Sequence, residues 1–338
     1  KSDPLTSLEL VNACILQIIR TNVYVNAVVA SRFELAREEA RKVDKEVMSD
    51  SPLESNLPFY GVPFVVKECF EVEGMPYTAG MVGRVGTKGT VTSGAIAQVQ
   101  KCGGILLAST NVSEGCMWHE SFNCVYGRTY NPYDFGRTAG GSSGGCGSAV
   151  ASCMAPVAVT SDVGGSTRIP ALYNGLFGHK PTGGTISNNN TIPSVGTGQV
   201  QNYCQLGAMS KHAEDLWPLL CALAKSHDSP LLEYNNMSAI ADVDISSLTI
   251  HYTVESLGNP WLLSALHPEI KTQLGKTVEV LSSSSSCNIQ SFDGFPEMHS
   301  LLNAFQMWSA LMSREKTEPF SVTIREGLQP FKSLPNIM

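Results

Sequence analysis

Leu8, Val11, Ile15 and Ile18 recur at three- and four-residue steps, which predicts an amphipathic helix near the start of the chain. Thr6-Ser7-Leu8-Glu9 reads as its capping box, with Thr6 as cap and Glu9 reaching back. A second helix is predicted over Phe33–Val47, its Arg, Glu and Lys residues marking a solvated face. The apolar run Gly61-Val62-Pro63-Phe64-Val65-Val66 predicts a buried strand whose end delivers Lys67, with Pro63 near its start. Ala95–Cys102 predicts a helix stopped by Gly103-Gly104, and Ile105–Ala108 a second buried strand.

The stretch Asn123–Gly144 is rich in Gly, Pro, Asn and Ser and reads as loop. Gly145–Met154, full of small residues, suits a helix packed closely on a sheet, and Val157–Thr160 a short strand leading into Gly164-Gly165-Ser166. The pattern weakens after Ala224. Leu248–Tyr252 predicts a strand. Pro268 opens a helix whose face carries Ile270, Leu274, Val278 and Leu281. Ser282–Ser286 reads as a surface loop, Leu301–Met312 as a helix, and no repeat is evident. Helices alternating with strands favour an α/β fold over a bundle or sandwich.

Composition narrows the classes. The 338 residues suffice for a large core, and 43% hydrophobic with 16% charged residues describes a globular chain. A net charge of -7 and no Lys/Arg-rich block argue against a nucleic-acid binder, which needs a basic face. The ten cysteines form no CxxC pair and read as buried free thiols of a reducing, intracellular compartment. The sequons at Asn111, Asn189 and Asn236 read as chance, Asn111 following directly on a strand. No signal peptide and no membrane-spanning run is evident; the first residue is Lys1, which leaves room for an anchor ahead of it.

Three segments carry candidate chemistry. Ser166 follows a strand and two glycines, which let consecutive N–H groups converge; the amides of Val163, Gly164, Gly165 and Ser166 could hold a developing oxyanion. A serine hydroxyl needs a base. The seven histidines show no partner motif, whereas Lys67 ends an apolar strand, where burial is expected to lower its pKa and leave a neutral base. Ser142 or Ser143 could relay the proton, since a hydroxyl donates and accepts. Other readings stand beside this one. Gly140–Gly145 taken alone is a plain loop; no Lys-Ser/Thr follows to make it a P-loop. Gly141-Ser142-Ser143-Gly144-Gly145 also fits the nucleophile elbow of α/β-hydrolases, though Gly136–Gly140 is a poor strand to precede it.

At these residues the chain resembles the amidase-signature enzymes, most of all the fatty-acid amide hydrolases of the second type. The resemblance runs from about Ser7 to Ala224. It takes in the Lys67 strand, Thr110-Asn111-Val112-Ser113-Glu114, Met117, Tyr126-Gly127-Arg128, Asn131-Pro132-Tyr133-Asp134, both glycine–serine motifs and Gly175–Thr182. It implies one α/β domain over 1–338, a mixed twisted central sheet flanked by helices, lacking the family's last C-terminal elements. It implies a Ser–Ser–Lys triad with Ser166 as nucleophile, Ser142 as bridge held by a cis peptide, and Lys67 as base. It places Val163, Gly164, Gly165 and Ser166 in the oxyanion loop, Ser143 in support, Asp162 and Arg168 as braces, and Met117 at the pocket wall. Where relatives carry an acidic or similar polar residue, this chain has Cys146, a change expected to be tolerated.

The expected activity is hydrolysis of fatty-acid amides through an acyl-enzyme, with no cofactor and no metal. A small-molecule amide is the expected partner; peripheral membrane association, through a segment not in this chain, and homodimer formation are compatible with it. Two other readings are kept: a non-catalytic relative that binds lipid or a partner, and a component of an amidotransferase.

Overall fold

A computed structural model describes residues 5–49, 57, 59–194, 199–224, 244–254, 264–284, 287–292 and 303–313. Where the sequence reading places 1–338 in one domain, the Cα positions group into two compact units. The first holds the described residues up to Ala224, the second those from Asp244 to Ser313.

The first unit is built on a six-stranded mixed sheet. Its strands are β1 (Val28–Ser31), β2 (Pro63–Lys67), β3 (Ile105–Thr110), β6 (Val157–Asp162), β7 (Phe177–His179) and β8 (Gln205–Ser210), in the spatial order β1-β3-β2-β6-β8-β7. β2, β3 and β6 are mutually parallel; β1, β8 and β7 join antiparallel. A small hairpin, β4 (Phe122–Asn123) and β5 (Gly127–Arg128), interrupts the stretch expected to be loop.

Strand alternation sorts the core into two layers. Phe64, Val66, Leu106, Val157 and Val159 pack with helices α3 (Gly94–Lys101) and α7 (Leu216–Ala224). Val65, Ile105, Leu107 and Ala158 face the other way, against α1 (Ser7–Val25), α2 (Phe33–Met48) and α4 (Gly144–Ala151). Two short helices, α5 (Arg168–Tyr173) and α6 (Gln199–Tyr203), complete the unit.

Local chemistry accounts for the helix ends. Thr6 Oγ1 accepts from Glu9 N–H at 3.1 Å while Thr6 N–H donates to Glu9 Oε2 at 2.9 Å, the capping box read from the sequence. α3 stops where Gly103 takes φ +90° and the amides of Gly103 and Gly104 close back on Gln100 and Val99, a Schellman turn. α4 ends earlier than expected for the same reason: Cys153, at φ 58°, and Met154 donate back to Val150 and Ala149.

In the second unit β9 (Thr249–Tyr252) and β10 (Asn288–Ser291) pair in parallel, and helices run over Pro268–Ser284 and Ala304–Ser313. The first of these continues through Ser282–Ser284, where a loop is expected. Its apolar side is largely open to solvent, with Ile270 44% and Leu274 38% exposed. Ser285, Ser286, Leu301 and the sequon at Asn236 lie outside the described residues. The other two sequons differ: Asn111 is fully buried and donates to Gly127 O at 3.0 Å, while Asn189 is exposed. No helix among the described residues is long and apolar enough to cross a membrane.

Candidate active site

The three parallel strands end side by side, bringing Lys67, Thr110 and Asp162 to one edge of the sheet. Lys67 sits there fully buried. Its Nζ donates to Ser142 Oγ at 2.7 Å and to Ser161 Oγ at 3.0 Å. The two paired serines are placed differently. Ser142 faces the lysine, whereas Ser143 Oγ donates to Ser161 O at 3.5 Å and Ser143 N–H donates to Ser166 O at 3.2 Å. The Gly141–Ser142 peptide is cis.

Gly140–Gly145 is therefore packed backbone rather than a plain loop. Ser121 holds it from behind: its hydroxyl donates to Ser142 O at 3.1 Å and accepts from Gly144 N–H at 2.7 Å. A Cβ at Gly145 would lie 2.4 Å from Asn111 N and 2.5 Å from Asn111 O, and backbone cannot yield as a side chain does. Gly145→Ala is expected to destabilise the fold by about 1–3 kcal/mol or more. Thermal melting checks this, and a wild-type midpoint would contradict it.

The loop after β6 is organised by one carboxylate. Asp162 accepts from the amides of Gly165 (2.7 Å), Thr167 (3.1 Å) and Arg168 (3.3 Å). It also receives the Arg168 guanidinium at 2.9 and 3.0 Å. These bonds and the Arg168 charge hold its carboxyl below the usual range although burial pushes it up. Asp162 and Arg168 are thus tied to each other and, through Asp162, to three amides of the loop. Gly165 is a correction to the oxyanion set: at φ +115° its N–H turns back to Asp162 and is not free for a ligand. The amides of Gly164 and Ser166 have no protein acceptor among the described residues, and Gly164 is exposed. The Ser166 side chain is half-buried, and its hydroxyl makes no hydrogen bond among the described residues. Such bonds often tighten only when substrate is bound.

Lys67 departs from expectation in its titration. Burial is the strongest single influence and works downward, but the surrounding thiols, Cys116 first, then Cys69, Cys146 and Cys204, reverse it. The lysine is held above its ordinary value, a correction to the neutral lysine expected from burial alone. The Cys116 thiol is itself held low, by Cys69 first, against burial, and by the nearby Lys67 ammonium and Ser142. Burial pushes the Cys69 thiol up instead. Ser161, Cys69 and Cys116 carry no motif that would single them out in the sequence. The remaining expected positions are ordinary by comparison. Met117 follows the short helical turn Glu114–Cys116 and is 53% exposed. Cys146 is buried with its sulfur 3.0 Å from Thr110 Oγ1, so the thiol retains a polar partner. No histidine hydrogen-bonds Lys67, Ser142 or Ser166 among the described residues.

Beside Lys67, Glu68 is fully buried and Oε2 has no partner among the described residues, while Oε1 accepts from Thr78 N–H (2.8 Å), Thr78 Oγ1 (2.9 Å) and Tyr126 OH (3.0 Å). Burial lifts its pKa from 4.5 to about 7 against these bonds. The folded chain then holds a proton that the unfolded chain releases. This contribution is fully present below pH 4.5 and is lost as pH rises through about 7. Glu68→Gln, which mimics the protonated acid, is expected to stabilise the fold at pH 8 by on the order of 1–3 kcal/mol and to leave it unchanged at pH 4. Equal effects at both pH values in thermal melts would contradict this.

The family model described as Amidase matches residues 9–324. The chain belongs to the amidase family. Fatty-acid amide hydrolase 2-A of Danio rerio is 36% identical over 312 residues, 91% of this chain and 56% of that protein. Fatty-acid amide hydrolase 2 of Homo sapiens is 34% identical over 310 residues, 90% and 56% of the two chains. A glutamyl-tRNA(Gln) amidotransferase component of Methanosarcina mazei is 28% identical over 319 residues, 87% of this chain and 64% of that protein. Among solved structures, 6-aminohexanoate cyclic dimer hydrolase complexed with substrate matches with a TM-score of 0.70 at 26% identity, covering 96% of this chain and 69% of that one. A fatty acid amide hydrolase structure matches at a TM-score of 0.73 and 23% identity, covering 95% and 57%, a likeness of fold. The mixed sheet flanked by helices is thus the fold of this amidase family. The chain spans about 56% of the length of the curated fatty-acid amide hydrolases it matches.

Proposed function

We propose that the chain is a serine hydrolase of linear amides, with Ser166 as nucleophile, Ser142 as proton bridge and Lys67 as base and then acid. The observation that carries this reading is the buried 2.7 Å hydrogen bond from Lys67 Nζ to Ser142 Oγ, next to the braced loop that presents Ser166. Ser166 Oγ attacks the amide carbonyl and passes its proton to Ser142, whose own proton moves to Lys67. The amides of Gly164 and Ser166 face the developing oxyanion; one such donor is typically worth about a hundred- to thousand-fold in rate. Lys67 then returns the proton through Ser142 to the leaving amine, and water releases the acyl group from Ser166.

Similarity to the Danio rerio and Homo sapiens proteins favours a fatty-acid amide as substrate. The test is hydrolysis of a long-chain fatty-acid primary amide beside acetamide and glutamine. The proposal expects turnover of the long-chain amide, with kcat/KM well above that of acetamide. Turnover of glutamine alone would favour the amidotransferase reading, which rests on the similarity to the Methanosarcina mazei protein. Absence of turnover on folded chain would favour a non-catalytic, lipid- or partner-binding protein.

A further inference from the structure

The chain from Ser113 to Ser121 runs as a strap across the segment that carries Ser142. Ser113 Oγ pins the strap, donating to Trp118 O at 3.0 Å and accepting from Trp118 N–H at 3.3 Å. The strap then lies backbone to backbone on Gly141. A Cβ there would come within 2.6 Å of Trp118 O, 2.7 Å of Glu120 N and 2.7 Å of His119 C. Ser121 closes the contact. It is fully buried, and each of its polar groups is engaged. Its N–H donates to Gly140 O at 3.1 Å, and its carbonyl accepts from Thr129 N–H at 2.9 Å. Its hydroxyl donates to Ser142 O at 3.1 Å and accepts from Gly144 N–H at 2.7 Å.

Ser121 thus grips alternate residues, Gly140, Ser142 and Gly144. Ser142 is the one whose hydroxyl accepts from Lys67 Nζ at 2.7 Å. Ser143, between the two residues held by the Ser121 hydroxyl, donates its N–H to Ser166 O at 3.2 Å. One hydroxyl therefore sets where Ser142 stands against both Lys67 and the loop of Ser166. The task needs a group that donates to a carbonyl and accepts from an amide at once, and a hydroxyl is the smallest side-chain group that does both. Without it, Ser142 O and Gly144 N–H are left buried and lacking that partner, and the segment shifts until they find others.

We propose that Ser121 is a positioning residue for amide hydrolysis, its hydroxyl fixing Ser142 in place between Lys67 and Ser166. This rests on the reading of Ser166, Ser142 and Lys67 as a triad. Ser121 is sealed beneath the segment, so it meets no substrate and acts only through Ser142. A relay through a bridging hydroxyl is sensitive to placement, and a shift of about 1 Å costs on the order of a hundred-fold in rate. The effect belongs in kcat, because no group that binds substrate is altered.

The test measures kcat and KM for a long-chain fatty-acid amide, and the rate at which a fluorophosphonate labels Ser166. It compares the unmodified 338-residue chain with Ser121→Ala, Ser142→Ala and the double variant, each below its own thermal midpoint. Ser121→Ala is expected to lower kcat by about 10- to 100-fold and to leave KM within about two-fold. In the Ser142→Ala background the same change is expected to slow labelling by less than about two-fold, because the group it positions is already gone; independent sites would add in full. A merely structural role would give the same loss in both backgrounds. That result, an unchanged kcat in folded Ser121→Ala, or a loss carried by KM would overturn the proposal. Should Ser121→Ala fail to fold, Ser121→Cys takes its place: a thiol donates and accepts only weakly, so a reduced kcat is expected and a parental one would overturn the proposal. Failure of the triad reading shows separately, as an unmodified chain that labels at another residue or not at all, and it removes this proposal with it. Failure of this proposal alone shows in the variant ratios of a chain that does label on Ser166.

Discussion

Ser166→Ala abolishes amide hydrolysis while leaving the fold intact: kcat/KM is expected to fall by about 10⁴- to 10⁶-fold, the range set by removing a catalytic serine elsewhere. The fold survives because the Ser166 hydroxyl makes no hydrogen bond among the described residues. The loop is held by other groups: Asp162 on the amides of Gly165 and Thr167, the Asp162–Arg168 ion pair, and Ser143 N–H on Ser166 O, which alanine keeps. The thermal midpoint is therefore expected to stay within a degree or so of the parent, since surface-type changes without broken contacts cost under about 0.5 kcal/mol. Activity retained with an intact fold would remove Ser166 from the mechanism.

Lys67→Ala is expected to cost both activity and stability. Loss of a positioned base removes about 10²- to 10⁴-fold in rate, and Ser142 loses the partner that orients its hydroxyl. The stability cost arises because the Ser142 and Ser161 hydroxyls lose the ammonium that donates to both. A buried group left without its partner costs about 1–3 kcal/mol, read as a lower thermal midpoint. The same surroundings fix the pH profile of the unmodified chain. Lys67 must give up a proton before it can act as base, and its pKa is held above the ordinary value although burial works downward, Cys116 being the first of the opposing influences. The rate is expected to climb through the alkaline range with no plateau at neutral pH. A flat profile from acid to alkaline would contradict a lysine base.

The strands and helices that build this site were legible because each is bounded by its own chemistry. The Thr6–Glu9 box, the Gly103-Gly104 stop and the apolar runs ending at Lys67 and Asp162 are local signals, and the structure uses each of them. Lys67, Ser142 and Ser166 were legible as residue types in motifs. Geometry that depends on register was not. Ser161 meets Lys67 only because β6 lies beside β2, 94 residues away in sequence. The upward shift of Lys67 is of the same kind: burial could be inferred from an apolar strand, but the thiols that overturn it could not. Gly165 was misread for a different reason. A Gly-Gly turn announces backbone freedom, yet not which acceptor each N–H will find, and Asp162 three residues back claims that one. In the second unit, the periodicity of Ile270, Leu274, Val278 and Leu281 named a helix correctly while leaving open what covers its apolar side.

The central claim is that Ser166 is a nucleophile activated through Ser142 by Lys67. Labelling the folded chain with a fluorophosphonate, followed by peptide mapping, tests it most directly. The account predicts one adduct, on Ser166, that disappears in Lys67→Ala. An adduct on Ser143, or none on chain shown to be folded, would contradict it.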